Sequence, residues 1–150
     1  MPANKGELIS KFWTVITPSF IHYTLLHLMT NLYLFWLLGA QLEKHSKMQF
    51  IAFVMATAVI SNCVQWIVVG PNFGGMSGVV YALLGFIWIT QYFKSSYYID
   101  NSIAMVLLVL IPIGFTGWIG KLANYAHVSG LISGIIIGLF SLFINQLKKP

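Results

Sequence analysis

The sequence predicts an all-α, polytopic transmembrane helix bundle, and two observations carry that prediction. The first is composition. Of 150 residues, 58% are hydrophobic and only 7% charged, with a mean hydropathy of +0.82, which is far more apolar than a soluble domain of that length. The second is spacing. Five apolar runs, each about the length a helix needs to cross roughly 30 Å of hydrocarbon, are bounded by charges, Gly, Pro or Asn. The formal charge of +5 does not point to nucleic acid, because the basic residues are all Lys and are scattered in ones and twos between the runs and at the tail. Cys63 is the sole cysteine, so no disulfide forms within the chain, and an inert buried thiol is its expected role.

Residues 1–20 are mixed in character and lack the apolar core of a signal peptide or first span; they read as an outer loop. The spans follow at about 23–41, 48–69, 77–93, 102–120 and 127–147, forming a single membrane domain over 1–150. The third is the short one, covering only about 25 Å, so its first residue, Ser77, is expected below the membrane surface. The glycine-rich turn before it, Pro71 to Gly75, then has to dip inward, where non-helical backbone survives only if buried in protein or lining a wet cavity. Lysines orient the bundle: Lys5, Lys11 and Lys121 fall on one side, and Lys44, Lys47, Lys94, Lys148 and Lys149 on the other. That bias places the C-terminus in the cytoplasm and the Ser77 end outside.

Chemistry is sought among polar residues that are costly in lipid. His22 and His27 open the first span, and Asn31 stands four residues after His27, on the same helix face. In the last span, His127 is followed by Gly130, Gly134 and Gly138, a small-residue stripe that lets its face approach another helix. Ser77, Gly78, Ala82 and Gly85 give the third span a matching surface, and Tyr81, one turn after the serine, is placed to cover an imidazole. A serine in a helix's first turn sits among unpaired N–H groups at the positive end of the dipole, which favours developing negative charge. Each feature has a bland reading as packing or as an interhelical hydrogen bond, and His45, in a charged loop, reads as a solvated residue. Convergence favours chemistry over packing: Ser77, His127, His27 and Asn31 lie on three helices and all fall at the ends assigned to the outer side.

The combination His22-x4-His27-x3-Asn31, Gly75-Met76-Ser77-Gly78 with Tyr81, and Asn124-Tyr-Ala-His127-x-x-Gly130-x3-Gly134 resembles the rhomboid intramembrane serine proteases, and among them the compact bacterial GlpG-type enzymes. The resemblance runs from about Trp13 to the end of the last span. It implies Ser77 as nucleophile, His127 as general base, and an oxyanion hole from the His27 and Asn31 side chains with the backbone N–H groups of Ser77 and Met76. It further implies His22 at the rim, Gly75 and Gly78 letting the loop approach a substrate backbone, and Asn124 and Tyr81 in supporting places. The fourth span, with Pro112, Gly114 and Gly117, resembles the family's lateral gate, and residues 117–126 its cap.

The only acids are Glu7, Glu43 and Asp100, none of them placed near the serine, so the unit expected is a Ser–His dyad whose imidazole is oriented by packing. Three departures from the family pattern stand out. Trp13 is followed by Thr14 instead of arginine, Ala40 replaces a common glycine, and the family's first of six spans is expected to be missing. The implied function is an intramembrane serine endopeptidase cleaving transmembrane segments of other membrane proteins, multi-pass in a bacterial cytoplasmic membrane with its site opening outward. Its partners are then transmembrane substrates and membrane lipid, with no nucleic acid, cofactor or metal. The alternatives are a catalytically inactive rhomboid-like binding module and, less favoured, a metal or haem bundle using His22, His27 and His127, which lacks an HExxH pattern.

Overall fold

The computed structural model describes residues 11–93, 96–118 and 122–147. Outside them lie the first half of the expected outer loop with Lys5 and Glu7, the final two residues of the expected fourth span, and Lys94, Lys121, Lys148 and Lys149. Among the described residues the chain is all-helical. Two 3-10 helices, Phe12–Val15 and Thr17–Phe20, precede α1 (Leu25–His45), α2 (Lys47–Val69), α3 (Ser77–Tyr92), α4 (Asn101–Thr116) and α5 (Asn124–Leu147).

Local chemistry sets the ends. The Thr24 hydroxyl caps α1 by accepting from the His27 N–H at 3.1 Å, and Ser46 caps α2 by accepting from the Gln49 N–H at 3.3 Å. α1 runs on to His45, past the end of its apolar run, because the backbone ladder needs no apolar side chains. Lys44 and His45 also suit the negative end of its dipole. α4 is capped by Asp100, which accepts from the Ser102 N–H at 2.8 Å, and it stops at Thr116, where Gly117 turns left-handed at φ 73°. α5 begins at Asn124, one turn ahead of His127.

Three helices, α1, α2 and Asn124–Gln146 of α5, are long and apolar enough to cross a membrane. α3 and α4 have 16 residues each, or about 24 Å. α3 is short because it is the centre of the bundle: it is apolar all round, and most of it is buried, from Gly78 through Ile87. α5 lies directly on it. A Cβ added at Gly130 would run into the Gly78 carbonyl, one at Gly134 into the Ala82 carbonyl, and one at Gly85 into the Leu131 carbonyl. The two glycine stripes thus set backbone against backbone at the level of His127 and below. α4 is held more lightly. Ala104, Leu107 and Gly114 are its buried residues, while Met105, Val106, Val109 and Phe115 face outward and Pro112 interrupts its ladder.

Candidate active site

The loop from Gly70 to Met76 carries the chain from the end of α2 into the bundle. Phe73, Gly74 and Gly75 are buried, so the turn does dip inward, and its backbone is satisfied by protein: the Gly75 N–H donates to the Pro18 carbonyl at 3.0 Å. Gly75 has φ 121°, and a Cβ there would lie 2.8 Å from His27 Nε2 and 3.7 Å from Ser77 Oγ. Only glycine lets the loop pass between the imidazole and the serine. The loop ends on Met76, which gives α3 no side-chain cap, while its carbonyl accepts from the Val79 and Val80 N–H groups at 2.9 and 3.1 Å.

Ser77 Oγ and His127 Nε2 are 2.8 Å apart. His127 is buried, at 6% exposure, and its ring stacks on that of Tyr81 with centroids 4.6 Å apart and planes 25° apart. Tyr81 is itself fixed, because its hydroxyl donates to the Leu107 carbonyl of α4 at 2.7 Å. The serine, the imidazole and the tyrosine therefore come from the mutually packed helices α3 and α5, and the α4 backbone braces the tyrosine. These side chains line a cavity of about 1110 Å³ together with His27, Asn31, Gln65 and Asn124.

The other sequence-selected residues gather here in different postures. The His27 ring lies against Gly75, and His22 meets it edge to face at 4.9 Å. His22 Nδ1 lies 3.3 Å from the Phe20 carbonyl. Asn31 is buried at 4% exposure, and its amide N–H donates to the His27 carbonyl at 3.0 Å, back along its own helix. His45 is exposed, as expected of a solvated residue, with its Nε2 3.1 Å from Ser96 Oγ and its ring 4.8 Å from that of Tyr97. Cys63 is half-buried.

The rhomboid domain family model matches residues 10–143, nearly the whole chain. The chain belongs to the rhomboid family. It is an integral membrane protein by family and by its apolar helices. Similar relatives include proteins named rhomboid protease GlpG from Salmonella choleraesuis (strain SC-B67), Salmonella newport (strain SL254) and Salmonella typhi, each 36% identical over 140 residues. The alignment covers 91% of this chain and 49% of each relative, so the chain spans about half the length of the curated relatives it matches.

Two residues of this rhomboid chain that shape the site went unselected by sequence. Gln65 of α2, 2% exposed, accepts the Ala126 N–H at 3.1 Å through its Oε1, satisfying a first-turn donor of α5 and pinning the residue before His127. Asn62 Nδ2 donates to the Val15 carbonyl at 2.8 Å and to Ser19 Oγ at 3.0 Å, tying the outer loop to α2 without the arginine that the family pattern leads one to expect beside Trp13. A signal was present. Thr57, Ser61, Asn62 and Gln65 are buried polar residues recurring along one membrane helix, and the cost of polar groups in lipid applies to them as it does to the histidines.

Proposed function

We propose that this chain is an intramembrane serine endopeptidase working through a Ser77–His127 dyad. The observation that carries the reading is the 2.8 Å contact between Ser77 Oγ and His127 Nε2 inside a helix bundle, on the wall of a cavity. Serine is a weak nucleophile until a base takes its proton, and Nε2 is within the reach such a transfer needs. As Oγ attacks a scissile carbonyl carbon, His127 takes the hydroxyl proton, and the carbonyl oxygen becomes an oxyanion beside the N-terminus of α3. The N–H groups of Ser77 and Met76 serve as donors there, joined by His27 and Asn31 once the amide of Asn31 turns from its own helix. Removing one such donor typically costs about 3 kcal/mol of transition-state stabilisation. His127 then passes its proton to the leaving amine, and water admitted through the cavity hydrolyses the acyl-enzyme with His127 again as base.

Among the described residues no carboxylate takes the third place. Among the described residues the acids are Glu43 near the end of α1 and Asp100 at the start of α4, both at the opposite end of the bundle from Ser77. The Tyr81 stack takes over ring orientation. The substrate is a transmembrane segment of another protein, unwound locally because a continuous helix hides its carbonyls in hydrogen bonds. α4, with Pro112 and few buried residues, is the element that yields to admit it. The lysine bias supports a cytoplasmic C-terminus and a site opening outward, and the bacterial relatives support a bacterial cytoplasmic membrane. The test is labelling of the detergent-solubilised chain with a fluorophosphonate probe. Ser77→Ala and His127→Ala should each abolish labelling while a chelator changes nothing. Labelling that survives Ser77→Ala, or is lost to chelator and restored by zinc, refutes the dyad.

A further inference from the structure

The dyad contact leaves one end of the imidazole unaccounted for. When Ser77 Oγ–H donates to His127 Nε2, the ring's own proton sits on Nδ1, and Nδ1–H becomes a buried donor. Among the described residues His127 Nδ1 has no hydrogen-bond partner, and neither has Asn124 Oδ1, a buried acceptor. Buried polar groups in native proteins are nearly always paired, so a donor and an acceptor orphaned in one neighbourhood call for a single explanation. Asn124 and His127 are three residues apart on α5, and a helical side chain leans back over the turn N-terminal to its own Cα, which for His127 is the turn of Asn124. Both side chains line the same cavity.

We propose that Asn124 is a positioning residue of the dyad: its Oδ1 accepts from a water that in turn accepts the His127 Nδ1–H, and so keeps Nε2 aimed at Ser77. The inference rests on the serine-protease reading. A carboxamide can orient an imidazole as a carboxylate does elsewhere, and it does so without burying a charge. The contact also strengthens when it matters. As Nε2 takes the serine proton the ring becomes cationic, and Nδ1–H becomes a charge-assisted donor. Asn124 therefore acts on the rate of proton transfer and little on binding. Asn124 Oδ1 itself lies against α4, since a Cβ at Gly114 would collide with it. The titratable groups sharing the cavity with the imidazole are Tyr81 from α3, His27 from α1, Tyr125 from α5 and Tyr23 just before α1; α2 brings Gln65 and α4 brings Leu107 and Leu110, so among the described residues no carboxylate lines the cavity to compete for Nδ1.

The test follows the pH dependence of fluorophosphonate labelling of the full chain. In that reaction the Ser77 Oγ–P bond forms, P–F breaks, the serine proton passes to His127 and fluoride leaves. Asn124→Ala should slow labelling at least tenfold at neutral pH, with thermal unfolding and the probe concentration for half-maximal rate little changed. Asn124→Asp should restore the rate at alkaline pH and move the acid limb of the profile to higher pH, because a carboxylate at Nδ1 favours the protonated ring. An Asn124→Ala variant that labels at the wild-type rate overturns the proposal. So does an Asp variant that is slow at every pH or leaves the acid limb in place, and that outcome decides the matter alone if the Ala variant does not fold. Failure of the serine-protease reading is distinguishable, because it shows as labelling that persists in Ser77→Ala.

Discussion

Gly130→Ala tests how tightly the dyad depends on the contact between α3 and α5. Gly130 sits one turn after His127, and a Cβ built there would overlap the carbonyl oxygen of Gly78, the residue after Ser77. Backbone carbonyls on a buried helix cannot rotate aside, so the helices must separate by about 1 Å to reach ordinary contact distances. That separation falls on the 2.8 Å Ser77–His127 contact, stretching it to about 3.8 Å, beyond hydrogen-bond range. A misplacement of that size costs about a hundredfold in rate, or about 2.7 kcal/mol of barrier, alongside an overpacking cost of about 1–3 kcal/mol in stability. The control is Gly138→Ala, two turns further along α5, where the nearest obstacle is Ile89 Cγ2, the end of a side chain that can turn away, at 2.5 Å. The assay is the fluorophosphonate labelling rate with thermal unfolding in the same detergent. Equal labelling rates in the two variants, or an unfolding midpoint for Gly130→Ala that matches wild type, would refute the reasoning.

Gly75→Ala should nearly abolish labelling while leaving the helical circular dichroism intact, because it puts a methyl 2.8 Å from the His27 ring at a φ of 121° that side chains avoid; undiminished labelling would mean the loop has room to shift. Tyr81→Ala should slow labelling more than Tyr81→Phe, since Phe keeps the ring on His127 and loses only the bond to the Leu107 carbonyl, worth about 1 kcal/mol of stability and read as a lower unfolding midpoint; equal rates would deny the ring a part in orienting the base. Asn62→Ala should lower stability by about 1–3 kcal/mol by stranding the Val15 carbonyl and Ser19, and limited proteolysis should then cut the outer loop faster; an unchanged cleavage rate would show that the loop is anchored elsewhere.

Much of the site was legible because lipid makes polar residues conspicuous. Ser77, His27, Asn31 and His127 stood out as polar groups near helix starts, and all four line one cavity. Their mutual postures were not legible. Whether the Asn31 amide faces the serine or its own helix depends on a rotamer, and it donates to the His27 carbonyl. The stopping point of α4 was misplaced for a related reason: apolar residues continue past Thr116, and only the left-handed turn at Gly117 ends the ladder. Gln65 and Asn62 were passed over because no motif contains them, and their partners are 61 and up to 47 residues away along the chain.

By itself the sequence determined the class of the protein, the α-helices found among the described residues and which polar residues stand out in the apolar runs. Each of these follows from local properties: hydropathy over a helix's length, caps, and the cost of a histidine in hydrocarbon. Tertiary structure alone decided which helix is central, which one is loosely held, and which donors meet which acceptors. Lipid tails are as apolar as leucine, so hydropathy cannot tell a core helix from a lipid-facing one. α3 is buried because glycine stripes on α3 and α5 fit backbone to backbone, and that fit, made only when the two helices meet, brings His127 to within 2.8 Å of Ser77.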